Sequence, residues 1–224
     1  MNFLELVNSL RIEAGASGRA IDTLEEPGLA AETDRFKRWI ASAWNDIQIQ
    51  HTDWNFHLVE STHTLEVGVT VLNQTEFMAG DVAESMVNTF RITQPASTRM
   101  LSQTMQYIDY YYWRNGEGMD TTREGMPQSF SIQPQTEAIH LSMTPDKAYD
   151  IFYDYRRTPQ RLTEDLDVPI IPIRYHELIV AWAMRKYGYH EVASEKLAQS
   201  MEIIGRLFPA LEMDQLPEIT LATL

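Results

Sequence analysis

The apolar residues of this chain change period twice. Up to about residue 50 they recur every three or four positions, from about Trp54 they recur every second position, and after Pro159 the wider spacing returns. A helix face repeats about every 3.6 residues and a strand face about every 2, so one regular element cannot serve both patterns. The sequence therefore predicts helices at both ends and a β-rich middle.

In the opening stretch Phe3, Leu6, Val7, Leu10 and Ala14 fall on one helix face. Asn2 stands at the N-cap position, with Glu5 three residues later, and Gly15 marks the end. The following "ASGRAIDTLEEPG" is small and polar, broken by Pro27 and Gly28, and reads as a loop. A second helix is expected from about Leu29 to Gln50. Its stripe of Phe36, Ile40, Ala43 and Ile47 is widened by Trp39 and Trp44, which implies more than one packing neighbour.

Strand alternation is clearest at Leu65, Val67, Val69 and Val71, at Ile139, Leu141 and Met143, and at Tyr149, Ile151, Tyr153 and Tyr155. Between these lie "QYIDYYYWRNGEG", where Asn115 and Gly116 can turn the chain, and "GMPQSFSIQ", where Phe130 and Ile132 alternate with polar residues. The segment from Ile173 to Met184 is apolar on nearly every face, as a central helix must be. Ala193, Leu197, Met201, Ile204 and Phe208 predict a last helix, and Pro209 and Pro217 are expected to break it into an extended tail. No repeat or low-complexity tract interrupts this order.

Composition narrows the function. With 32 acidic against 18 basic residues the formal charge is −14, which opposes a nucleic-acid grip built on clustered Lys and Arg. The chain has no cysteine, so disulfides, thiol nucleophiles and cysteine-based zinc sites are excluded. No apolar run approaches the ~18 residues of a membrane span, and the first stretch carries Asn, Glu and Arg where a secretory signal needs an apolar core. The expectation is neither secretion nor membrane insertion.

Candidate chemistry centres on "LDVPIIPIRYHELIVAWAMRKYGYHE", which holds Asp167, His176, Glu177, His190 and Glu191. His176-Glu177 begins like the helical zinc motif H-E-x-x-H, but Val180 stands at the place of the second histidine. His190 is fourteen residues further, about 21 Å along a continuous helix at ~1.5 Å per residue. The group reads instead as a polar rim on a buried helix, with Asp167 accepting N–H bonds near the helix start and Pro169 and Pro172 holding the entry extended. His51 and Asp53 lack a nucleophile elbow and read as loop residues, and His57 and His63 as surface residues on a strand. Tyr107, Tyr110, Tyr111, Tyr112 and Trp113 read as a packing or protein-contact face rather than a base-stacking platform, since no Lys or Arg interleaves them. No catalytic residue, metal ligand or cofactor is expected.

Several blocks together resemble the head-to-tail adaptor, or connector, proteins of tailed bacteriophages. They are "MNFLELVNSLRIEAG", "RFKRWIASAWNDIQIQHTDWNF", "MPQSFSI" and "LSMTPDKAYDIFYDYRRTPQRLTEDLDVPIIPIRYHELIVAWAMRKYG". The last block carries Pro145, Asp146, Tyr155, Pro159, Leu162, Asp167, Pro169, Pro172 and His176 in the family's arrangement, and residues 15–28 and 71–103 fit it loosely.

The resemblance implies an α+β fold: a small bundle of four main helices, a long antiparallel β insertion between the second and third, and an extended C-terminal tail. The expected parts are a bundle core of residues 1–53 and 159–208, an insertion of 54–158 and a tail of 209–224. It implies a structural virion protein of the neck, assembled in the host cytoplasm. About twelve copies would form a ring under the portal, and DNA would pass through its lumen without specific binding. Expected partners are the portal, a stopper or tail-completion protein, and other copies of the chain. The β-branched end comprising Leu216, Pro217, Glu218, Ile219, Thr220, Leu221, Ala222, Thr223 and Leu224, with no charge after Glu218, is the expected portal-binding segment. Two alternatives stay open: a tail-completion or stopper protein lower in the same channel, and a metal-dependent enzyme using Asp167, His176 and Glu177.

Overall fold

The computed structural model describes residues 1–16, 20–25, 30–73, 77, 80–94, 102–116, 118 and 122–217. Among these it contains five α-helices: α1 (Phe3–Glu13), α2 (Ala30–Gln48), α3 (Tyr110–Asn115), α4 (His176–His190) and α5 (Ser194–Gln215). The strands are β1 (Leu58–Leu65), β2 (Val71–Leu72), β3 (Val82–Ser85), β4 (Arg91–Thr93), β5 (Gln103–Thr104), β6 (Gln106–Tyr107), β7 (Ser129–Ile132), β8 (Ile139–Leu141) and β9 (Tyr149–Arg157). Two compact units result: Met1–His57 with Pro159–Leu224, and Leu58–Thr158.

In the helical unit the capping box forms: Asn2 Oδ1 accepts from Glu5 N at 2.8 Å and Glu5 Oε2 from Asn2 N at 2.9 Å. Two otherwise orphaned donors are satisfied at the start of α1. The helix stops where Gly15 turns to φ +77°, a left-handed value open to glycine. Helix α4 packs on α1, α2 and α5, and all of Leu178–Met184 is buried. That is why its apolar residues show no single stripe. At its far end Gly188 passes so close to α5 that a Cβ would lie 3.2 Å from Leu197 N.

Helix α5 departs from expectation, because it runs through Pro209 to Gln215. The proline removes one ladder bond and crowds the carbonyl four residues back, at Gly205, on an exposed side of the helix. Bonds from other elements hold the turn beyond it. Tyr175 Oη donates to Ala210 O at 3.1 Å, His51 Nε2 lies 2.7 Å from Glu212 Oε1, Arg174 pairs with Asp214, and Leu211 is fully buried. The extended tail therefore starts no earlier than Leu216 rather than at 209, and residues 218–224 lie outside the described ones.

The β unit consists of two sheets. In the first, β9 is central, pairing antiparallel with β1 on one side and with β3 and β4 on the other, while β5 extends beyond β4. Tyr149, Ile151, Tyr153 and Tyr155 all face the core, at 4% exposure or less, as their alternation requires. The second sheet has the order β2-β8-β7-β6.

Three features correct the expected antiparallel insertion. The β6–β7 pair is parallel, with Gln106 opposite Ser129 and Tyr107 opposite Phe130. The alternation from Leu65 to Val71 is not one strand, since Gly68 at φ +83° turns the chain between β1 and β2. The tyrosine run folds as the short helix α3, started by Asp109 Oδ1 accepting from Tyr111 N at 3.0 Å and closed at Gly116, so local capping outweighs aromatic strand propensity.

Candidate functional site

The segment that drew attention in the sequence does not converge on a site. Asp167 Oδ2 accepts N–H bonds from Thr163 at 2.7 Å and Glu164 at 2.8 Å, closing a turn that precedes the helix start by several residues. These bonds, first from Glu164 and then from Thr163, hold its carboxyl below the usual carboxylate range. Asp167 thus shapes the entry loop and does not cap α4, whose N-cap Tyr175 makes no side-chain cap bond.

His176 is buried rather than on a polar rim. Its Nε2 lies 3.1 Å from Ile171 O and its Nδ1 2.7 Å from Met1 N, and burial pushes its pKa below the ordinary value. Glu177 points away to solvent, 3.8 Å from Arg206. It borders a cavity of about 300 Å³ lined also by Glu13, Val180, Ala181, Met184 and Ile203, and neither Asp167 nor His176 reaches that cavity. Among the described residues no group of three or more acidic or histidine side chains is placed to hold a metal.

The other candidates also resolve into structural roles. His51 pairs with Glu212 and stacks on Phe208, with centroids 6.4 Å apart, while Asp53 lies outside this pair. His57 is buried, 3.2 Å from Gln48 Oε1, which corrects its reading as a surface residue; His63 packs on Phe77 at 4.9 Å. His190 is exposed and contacts its neighbour Glu191. In α3, Trp113 and Tyr110 stack at 6.1 Å and both rest on His140, whereas Tyr111 and Tyr112 are 67% and 79% exposed. A Cβ at Gly118 would meet the Trp113 ring at 2.5 Å, so the chain presses flat on that indole.

Sequence reasoning missed the most connected polar group. Gln48, 1% exposed at the end of α2, accepts from Gln160 N at 2.7 Å and donates to Gln160 O at 3.0 Å. Gln160 then repeats the arrangement, its amide donating to Val168 O at 2.9 Å and accepting from Ile170 N at 3.0 Å. Two glutamines thus pin the chain where it returns to the bundle and where it enters α4. A polar residue at an otherwise apolar helix end was the available signal, but its partner lies 112 positions away.

The architecture is accordingly a helical scaffold without convergent catalytic groups among the described residues, carrying a β unit and a C-terminal segment rooted at α5. No curated protein matches the sequence. The family model for SU10 adaptor protein matches residues 1–215, nearly the whole chain. The chain belongs to the SU10 adaptor protein family, a family of phage head-to-tail adaptors.

Proposed function

We propose that the chain is a structural protein of the virion neck that forms a ring of about twelve copies beneath the portal, lengthens the DNA channel and gives the tail its platform. The family match over residues 1–215 is the observation that carries this reading. Two physical features support it. The charge of −14 suits a lumen through which polyphosphate must slide without adhering. The bundle holds the root of the C-terminal segment, at Tyr175, His51 and Arg174, so that Leu216–Leu224 is presented from a fixed origin to dock on the portal.

Electron microscopy of the purified protein mixed with its own portal tests the proposal, with one added ring expected. Truncation after Leu216 leaves α5 complete and is expected to abolish that ring; undiminished binding would remove the docking role from the tail. Light scattering of the protein alone is expected to show a monomer or weak associations, since a free ring would compete with ordered assembly. A stable ring in the absence of portal would overturn this order of events.

A further inference from the structure

The exposed face of α2 is basic in an acidic chain. Ala31, Arg35, Arg38, Ser42, Asn45 and, one residue past the helix, Ile49 are exposed at three- and four-residue spacing, on the side away from the buried Phe36, Ile40, Ala43 and Ile47. Among 32 acidic and 18 basic residues in the chain, this stripe holds two arginines and no acid. Arg35 lies 3.8 Å from Glu191, and the Arg38 guanidinium has no partner among the described residues.

The cavity of about 300 Å³ between α1 and α5 has the complementary character. Val180, Ala181 and Met184 of α4 form its floor, Ile203 of α5 a wall, and Glu13 and Glu177 stand on its rim. The Met1 amine, also in the lining, is engaged by His176 Nδ1 at 2.7 Å. Glu177 is 3.8 Å from Arg206, while the Glu13 carboxylate has no partner among the described residues. On α4 the cavity side, Glu177 to Met184, lies roughly 120° around the helix from Lys186, Tyr187 and His190, which contact α2. The two faces thus point in different directions, and neither can satisfy the other within one copy. They do stand at matching heights. Trp39 touches Tyr187 and His190, and Tyr187 Oη donates to Ala14 O at 3.2 Å, which sets Arg38 and Glu13 at one level. Further along, His51 stacks on Phe208, which packs on Trp182, so Ile49, 59% exposed, is level with the cavity floor.

We infer that the outer face of α2 of one copy seats in the α1–α5 groove of the next copy, with Arg38 reaching Glu13 and Ile49 covering the cavity. The contact is heterologous, one face against a different one, so each added copy leaves a free half-contact on either side and the series can close into a ring. Copies related by rotation about an axis along the helices keep their heights, which brings these two pairs together. Charge selects this occupant over the chain's own C-terminal segment, which after Leu216 offers Glu218 and no basic residue to Glu13 and Glu177. The inference rests on the ring reading and names the surfaces that build the ring.

The chain has no cysteine, so single introduced cysteines report contacts between copies without background. Glu13→Cys and Arg38→Cys proteins are mixed in equal amounts with portal and treated with a short bismaleimide. A covalent dimer is expected from the mixture and from neither variant alone. No dimer, or an equal yield from one variant by itself, overturns the inference. Charge reversal is read by electron microscopy of portals. Arg38→Glu, with an unchanged melting temperature, is expected to lower the fraction carrying a complete ring by roughly tenfold or more, and Glu13→Arg added to the same chain to restore it. Complete rings from Arg38→Glu, or no recovery in the double variant, overturn it as well. Wild-type protein that adds no ring to its portal would instead refute the adaptor reading itself.

Discussion

Replacing Gln48 with alanine should be among the most damaging single changes in the helical unit, although no apolar group is lost from the core. The side chain makes two bonds to the backbone of Gln160, one to His57 and a longer one of 3.4 Å to Trp44 O within α2. The three bonds of 3.2 Å or less are worth about 1 kcal/mol net each, for a total of about 3 kcal/mol. In a chain of this size that lowers the melting temperature by about 6–12 °C. Urea and thermal unfolding followed by circular dichroism measure it. Gln50→Ala is the control, because among the described residues the exposed Gln50 side-chain amide bonds only to Asp46 O and its loss should stay within ~0.5 kcal/mol. Equal stability of the two variants would refute the idea that Gln48 pins the returning chain.

Burial depresses the pKa of His176, so the unfolded chain takes up the proton first: the stability it contributes is complete above pH ~6.5 and falls as the pH drops below it. His176→Gln should flatten the stability profile between pH ~7 and ~5 in urea titrations. The depressed carboxyl of Asp167 contributes stability that is present above pH ~4 and lost as pH falls through its lowered value, so Asp167→Asn should reduce the acid sensitivity measured by thermal denaturation. Pro209→Ala restores the missing ladder donor and should stabilise α5 by about 1–3 kcal/mol; a neutral or negative effect would mean the terminal turn depends on the proline.

Features decided within a few residues were readable in advance. The Asn2–Glu5 box, the stop at Gly15, the core face of β9 and the all-round burial of α4 each follow from local spacing. What escaped was decided by distant partners. Pro209 signals a break, yet Tyr175, His51 and Arg174 close over it; His57 looks like a surface residue until Gln48 meets it; a parallel β6–β7 pair leaves no mark in period-two alternation. Asp167 was readable as a backbone acceptor, but only the fold shows that it closes the turn at Thr163 rather than capping α4.

The division of the chain also orders its own synthesis. The β unit is contiguous, whereas the bundle is assembled from segments 1–57 and 159–224, so α1 and α2 leave the ribosome long before α4, their packing partner, exists. At roughly 5–20 residues per second, about 100 intervening residues take on the order of 5–20 s, during which α1 and α2 have each other but not α4 to cover their apolar stripes. The first sheet can form only when its central strand β9 emerges at the end of that interval, and its folding then draws in the slack of the intervening chain and lowers the entropy cost of closing the loop. The length of the insertion thereby sets the delay before Gln48 and Gln160 can meet.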